Sequence, residues 1–373
     1  MSATHKTSAW PLALSYAALI VYASLYPFDG WRDQGIAPWA FLPVPLPKYW
    51  TGFDVAANLA GYGPLGVLLA LSAMRRGGWT GVRAVTLATL AAAALSLSME
   101  MLQSYLPSRV ASNVDLALNI LGAWLGAVLA WALEKLGVIA RWSRFRERWF
   151  VQDARGALVL LALWPVALLF PAAVPFGLGQ VLERLEFGLT EWLADTPFLE
   201  WLPVRDVELQ PLVPGVELLC VLLGALIPVL LGYCVIRPAA RRLLFMLAMI
   251  LVGTGATALS AALSWGPSHA WAWLGVAERA GLVAGMVVGL LLLPLPRRGC
   301  AALLLLALVV HLSLLNQAPA SAYFAQTLQT WEQGRFIRFN GLAQWLGWLW
   351  PYAALVYVLV RVSRSEAKTR MGA

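Results

Sequence analysis

Two short runs carry the same pair of polar residues at the same spacing. Residues 54–66 read DVAANLAGYGPLG and residues 115–126 read DLALNILGAWLG, so Asp54 and Asn58 match Asp115 and Asn119, and Gly61 matches Gly122. One inserted residue then brings Leu65-Gly66 into line with Leu125-Gly126. An Asp-x-x-x-Asn pair places both groups on one helix face. Between the runs stand Glu100, with Gln103 at the i+3 position on its face, and Arg109. These groups could do two kinds of work. Arg109 can grip a carboxylate or phosphate in two-point contact, with the carboxamides supplying hydrogen bonds. Alternatively, neighbouring carboxyls can split their pKa values and act as an acid/base pair.

Each functional reading has a structural competitor. Thr51 and Ser112 precede the two aspartates by three residues, a capping-box spacing with Asp in place of Glu. Carboxylates are also favoured at a helix N-terminus. Capping does not account for Asn58 and Asn119, one turn further in, which then hydrogen-bond between helices or to a ligand. Glu100 falls in the last turn of its helix, where the dipole disfavours negative charge. It therefore needs a partner, a proton or a function, and Arg109, Asp115 or a ligand could meet that need.

What must position these residues is a membrane. Of 373 residues, 60% are hydrophobic and 12% charged, against about 25% charged in soluble domains. That excludes an ordinary soluble enzyme and a disordered chain alike. Stretches free of Asp, Glu, Lys and Arg run 7–28, 55–74, 84–99, 116–133, 156–182, 218–236, 243–277, 280–296, 299–331 and 339–360, each near the length of a bilayer-spanning helix or longer. The run from Thr7 to Phe28 reads as a first transmembrane helix rather than a cleavable signal. The third helix continues to about Leu102, which puts Glu100 inside it. The run 243–277 contains a hairpin at Gly266-Pro267, and 299–331 contains a polar stretch after Leu315. The expectation is an all-α polytopic membrane protein of about ten transmembrane helices.

Charge sets its orientation. With both termini cytoplasmic, the cytoplasmic segments hold 19 of the 27 Lys and Arg but only 4 of the 19 acids. The net charge of +8 then records topology, and nucleic acid is not an expected partner. The expected site is on the extracytoplasmic face of the membrane, where helices two and four begin and helix three ends. A basic linker at 141–155 divides four helices (1–140) from six (156–373). Its Arg141, Arg144, Arg146 and Arg148 beside Trp142, Phe145 and Trp149 read as an interfacial helix on anionic lipid.

Other features read as packing. Gly281, Gly285 and Gly289 form a small-residue ridge, as do Gly122 and Gly126. Cys220, Cys234 and Cys300 read as small core residues, and Pro228 as a kink. His311 and His269 lack ligand-spaced neighbours, so no metal is expected. Neither a cofactor motif nor a Gly-x-Ser-x-Gly nucleophile is present. Glu217 and Glu278 are secondary candidates, with Arg279 as a local partner. The segments 29–52, 180–212 and 317–340 are rich in Trp, Phe and Pro, among them Trp31, Trp39, Pro47, Trp50, Phe187, Trp192, Trp201, Tyr323, Phe324, Trp331, Phe336 and Phe339. They read as stretches lying on the outer leaflet or walling an outer pocket.

The run D-x3-N-x5-P-L-G followed by S-x3-E-x2-Q-x5-R-x5-D-x3-N-x2-G resembles the VanZ-like membrane proteins. Its positions here are Asp54, Asn58, Pro64-Leu65-Gly66, Ser96, Glu100, Gln103, Arg109, Asp115, Asn119 and Gly122, and the resemblance covers about residues 10–135. It implies a bacterial cell-envelope protein of a family associated with reduced sensitivity to teicoplanin, whose short members lack the six further helices found here. The expected function is to bind or shield a lipid-linked or glycopeptide-like envelope component. The alternatives are a membrane enzyme acting on a lipid-linked substrate, with Glu100 and Asp54 or Asp115 as its carboxyls, and a transporter.

Overall fold

The structure is a computed structural model. It describes residues 9–26, 28, 30–45, 52–77, 79, 81–151, 153–170, 172–202, 209–319 and 337–370, apart from the side chains of 53–54, 76–77, 337–342 and 363–370. Thr51, Pro47, Trp50, Tyr323, Phe324, Trp331, Phe336 and the side chains of Asp54 and Phe339 therefore lie outside the described residues. The described chain is all-α, with no strand. It divides into two compact units, Met1–Phe145 and Arg146–Ala373.

Unit one holds α1 (Ala9–Leu25), α2 (Gly52–Gly77), α3 (Gly81–Gln103) and α4 (Asn113–Lys135). What α4 buries is small or polar: Asn119, Gly122, Ala123, Gly126, Ala127 and Ala130. What it exposes is large and apolar: Leu121, Trp124, Leu125 and Leu129 are each more than 40% exposed. That is the inverse of a soluble helix. Within lipid there is no hydrophobic reward for hiding leucine, so small residues take the helix contacts and let backbones close in.

The closest of these contacts is between α2 and α4. A Cβ on Gly122 would meet the Leu59 carbonyl, one on Gly126 the Gly63 carbonyl, and one on Gly66 the Ala123 carbonyl. The helices run parallel, since Leu59 faces Gly122 and Gly63 faces Gly126, four residues on along both. The sequence repeat does not carry into the packing. Gly61, matched to Gly122, has open space where a Cβ would go, and Leu65 is 2% exposed while Leu125 is 47% exposed. The face that α2 presents to α4 carries Gly63 and Gly66 instead.

Unit two contains α6 (Arg155–Ala167), α7 (Leu182–Leu193), α8 (Pro214–Tyr233), α9 (Ala239–Trp265), α10 (Val276–Leu291), α11 (Arg297–Leu315) and α12 (Ile337–Arg370). The basic α5 (Val138–Trp149) buries none of its residues, and Trp142 stacks on Phe145. The core of unit two is α8, of which the stretch from Gly224 to Tyr233 is buried without interruption. Arg242 of α9 is 5% exposed and donates to the carbonyls of Leu293, Leu295 and Tyr233 at 2.9, 2.7 and 3.0 Å. It thereby satisfies acceptors left over where α8 and α10 end. Gly281 and Gly285 of the ridge pack as expected, against Leu218 and Leu222 of α8, while Gly289 meets Met246 of α9 first.

One expected span breaks. The stretch 156–182 is not a single helix: α6 stops at Ala167, and residues 168–170 and 172–181 run irregularly with Phe170, Val174, Phe176 and Leu178 buried. Such backbone persists in an apolar setting only if its polar groups are met. Asn316 meets four of the needs around it. Its Oδ1 accepts from the amides of Val181 and Leu182, and its Nδ2 donates to the carbonyls of Gly179 and Leu312. Trp164 and Trp273 hold Phe176 from two sides, each at 6.0 Å between ring centroids.

Among the described residues seven helices are long and apolar enough to cross a membrane: α2, α3, α4, α8, α9, α11 and α12. The helices α1 and α6 are apolar but shorter. The glycine contacts give a paired test in detergent. Gly126→Ala is expected to lower the unfolding midpoint of unit one, through overpacking of about 1–3 kcal/mol. Gly61→Ala is expected to hold or raise it, since Ala gains about 0.5–1 kcal/mol in a helix.

Candidate functional site

The end of α1, the start of α2, the end of α3 and the start of α4 meet at one end of unit one, and hydrogen bonds between side chains and backbone record the meeting. Asn58 Nδ2 donates to Asp115 Oδ1 at 2.8 Å, joining the repeated motifs across the α2–α4 contact. The Ser112 amide donates to Glu100 Oε2 at 2.8 Å. Glu100 thus stands at the N-terminus of α4, where the dipole favours a carboxylate, while belonging to the C-terminus of its own α3. Its burial, 4% exposed, is sustained by that arrangement. Gln103 Nε2 donates to the Ser24 carbonyl at 3.0 Å, and Arg109 Nη2 to the Tyr26 carbonyl at 2.7 Å. Both tie the end of α3 and the loop after it to the end of α1.

Capping contributes as well. Ser112 is the N-cap of α4 and its hydroxyl accepts from the Asp115 amide at 3.3 Å. Asp115 therefore serves two roles, a first-turn acid and an acceptor for Asn58. The loop lies over this end: the Arg32 amide donates to the Tyr105 carbonyl, Gln34 to the Ser104 carbonyl, and Asn113 to the Val44 carbonyl.

Beneath this rim lies a fully buried polar node. Ser96 is 0% exposed and Asn119 is 5% exposed, and Asn119 Nδ2 donates to Ser96 Oγ at 3.0 Å. Tyr62, also 5% exposed, turns its hydroxyl toward Ser96 and Glu100. Two atoms of this node, Asn119 Oδ1 and Tyr62 Oη, are buried with no hydrogen-bond partner. An unmet buried polar atom costs about 1–3 kcal/mol.

Of the residues expected at the site, the structure brings together Asn58 with Asp115, Asn119 with Ser96, and Glu100 with the start of α4. Gln103 and Arg109 bind the end of α1 at the edge of the same cluster. Asp54 is in the first turn of α2, one turn before Asn58. Tyr62 was missed by the sequence reading, although it follows Asn58 by four residues and so shares its face. Ser96 has the same relation to Glu100.

Spans and site together define the class: an all-helical, polytopic membrane protein with a polar cluster at one end of its first helix bundle. Within that class, residues 4–134 match the VanZ/LLP1 family, the stretch over which the polar motif resembles it. No curated protein and no solved structure matches the chain.

The node separates stability from recognition. Tyr62→Phe removes an unmet hydroxyl and is expected to leave the unfolding midpoint unchanged or higher, while Ser96→Ala strips Asn119 of its partner and is expected to cost about 1–3 kcal/mol. Thermal unfolding of both purified variants checks the pair; equal losses would contradict the assignment.

Proposed function

We propose that this protein is a bacterial inner-membrane protein of the cell envelope that binds or shields a lipid-linked or glycopeptide-like component at its extracytoplasmic face. The reading rests on one observation above the others: two buried polar atoms without partners, Tyr62 Oη and Asn119 Oδ1, sit beside Glu100 where four helix ends converge. The charge bias of the connections supports an outward-facing site and cytoplasmic termini. In this reading Arg109 engages an anionic group of the ligand, as a phosphate or carboxylate of an envelope precursor would provide. Asn58, Gln103 and Asn119 offer hydrogen bonds to its polar part, and the exposed leucine and tryptophan of α4 face the lipid in which its apolar tail lies. Asp115 holds the rim, accepting from Asn58, and Asp54 belongs to the same helix end by its position in α2.

Binding fits better than turnover, because Glu100 Oε2 already accepts from the Ser112 amide. The test uses purified protein in nanodiscs with a radiolabelled polyprenyl-pyrophosphate-linked sugar. Stoichiometric retention of unchanged ligand is expected, weakened at least tenfold, about 1.4 kcal/mol, in Glu100→Ala and Arg109→Ala while membrane expression is kept. Conversion of the labelled lipid would establish an enzyme instead. Retention equal in wild type and both variants would remove the site.

A further inference from the structure

One end of unit two concentrates positive charge. The segments 146–155, 234–242, 293–300 and 357–362 hold nine arginines against two acids, Glu147 and Asp153. Hydrogen bonds to the backbone gather these segments. The Val151 amide donates to the Val235 carbonyl at 2.9 Å, and the Arg237 amide to the Trp149 carbonyl at 3.4 Å. Arg242 ties the same turn to the carbonyls of Leu293 and Leu295, and Arg361 Nη1 donates to the Asp153 carbonyl at 3.3 Å. Arg242 is buried among its carbonyls, but Arg148, Arg237 and Arg298 are exposed. Arg241 donates to the Arg148 carbonyl and lies over the Trp149 ring, 5.4 Å from its centroid. Two arginines are thereby held side by side.

Helix formation alone does not ask for this charge. Arg155, Arg241 and Arg297 stand in the first turns of α6, α9 and α11, where the dipole disfavours a cation, and none of those turns contains an acid. An anion from outside the chain answers arginines and dipoles alike. The kind of anion follows from the surface beside them. On α9, Arg241 is followed at three, seven and ten residues by Leu244, Ala248 and Leu251; on α11, Arg298 is followed at four, eight and eleven by Ala302, Leu306 and Val309. Those intervals keep each set on one helix face, and all six apolar residues are exposed. Each arginine therefore heads an apolar stripe on a helix long enough to cross a bilayer. A soluble phosphate or a nucleic acid would engage the arginines and leave the stripes unused. A phospholipid engages both, with its phosphate on the guanidinium and its acyl chain on the stripe.

We propose that this end of unit two is a docking surface for anionic phospholipid, with headgroup phosphates at Arg148, Arg237, Arg241 and Arg298 and acyl chains along the exposed faces of α9 and α11. The arginine fork takes a phosphate in two-point contact, and stacking on Trp149 holds Arg241 in place for it. The charge bias of the connections supports a cytoplasmic position, on the leaflet rich in anionic lipid. The proposal uses no residue of unit one, so it and the envelope-ligand reading can fail separately.

The experiment mixes full-length protein in a mild non-ionic detergent with fluorescent phosphatidylglycerol or fluorescent phosphatidylcholine and measures the lipid that stays with the protein through gel filtration. Wild type is expected to retain phosphatidylglycerol at least tenfold better, with the preference falling in high salt. Arg148→Gln, Arg237→Gln and Arg298→Gln together are expected to abolish the preference in monodisperse protein. The same three positions changed to Lys are expected to keep it, which separates a lost charge from a disturbed fold. Equal retention of the two lipids by wild type would mean that the arginines record topology only, and would overturn the proposal, as would a preference that survives the triple Gln substitution. Release of the bound lipid by free glycerol phosphate, or by a short oligonucleotide, would make the ligand a soluble anion or a nucleic acid and would overturn it too.

Discussion

The backbone contact between α2 and α4 governs unit one. Gly66, Gly122 and Gly126 leave no room for a Cβ, and their absence of side chains lets two parallel helices touch along their carbonyls. Because the helices are parallel, their N-termini arrive together, and with them both Asp-x-x-x-Asn motifs. The 2.8 Å bond from Asn58 to Asp115 is a consequence of that crossing. So is the placement of Asn119 against Ser96, since α3 can then fill the remaining side of the pair.

The same crossing explains how a carboxylate can be buried here. In an apolar medium a charged or polar group needs fixed partners, and helix termini are the one place where unpaired amides are guaranteed. Glu100 reaches from the end of one helix to the start of the next and takes the Ser112 amide. The rim around it is well satisfied, by backbone carbonyls of α1 and by the loop laid over it. Among the described residues of unit one, the unmet atoms are Tyr62 Oη and Asn119 Oδ1, in the node beneath.

Much of this was legible in the residues. Charge-free runs gave the all-helical membrane class, and the ends of α3, α9 and α11 fell near Leu102, Gly266 and Leu315, where charge, Gly-Pro and a polar stretch foretold them. The motif residues gathered because i,i+4 spacing fixes a helix face whatever the tertiary structure does. Three things were not legible. Gly61 matched Gly122 in sequence but not in packing, since α2 turns Gly63 and Gly66, not Gly61, toward α4. At the break after Ala167, Pro171, Pro175, Gly177 and Gly179 interrupt the run; what was hidden is Asn316, more than a hundred residues away, whose side chain meets backbone groups of Gly179, Val181 and Leu182. Tyr62 looked like one more aromatic in an apolar helix, and its hydroxyl gained meaning only when Ser96 and Glu100 were found beside it.

The central claim is that the starts of α2 and α4 lie side by side, with Asn58 facing Asp115. Site-directed cross-linking in native membranes measures this directly. In a background with Cys220, Cys234 and Cys300 replaced by Ala, the pair Asn58→Cys with Asp115→Cys should form a disulfide on mild oxidation. The pair Gly61→Cys with Asp115→Cys, with residue 61 turned away from α4, should not. Equal cross-linking of both pairs, or none in the first, would contradict the account.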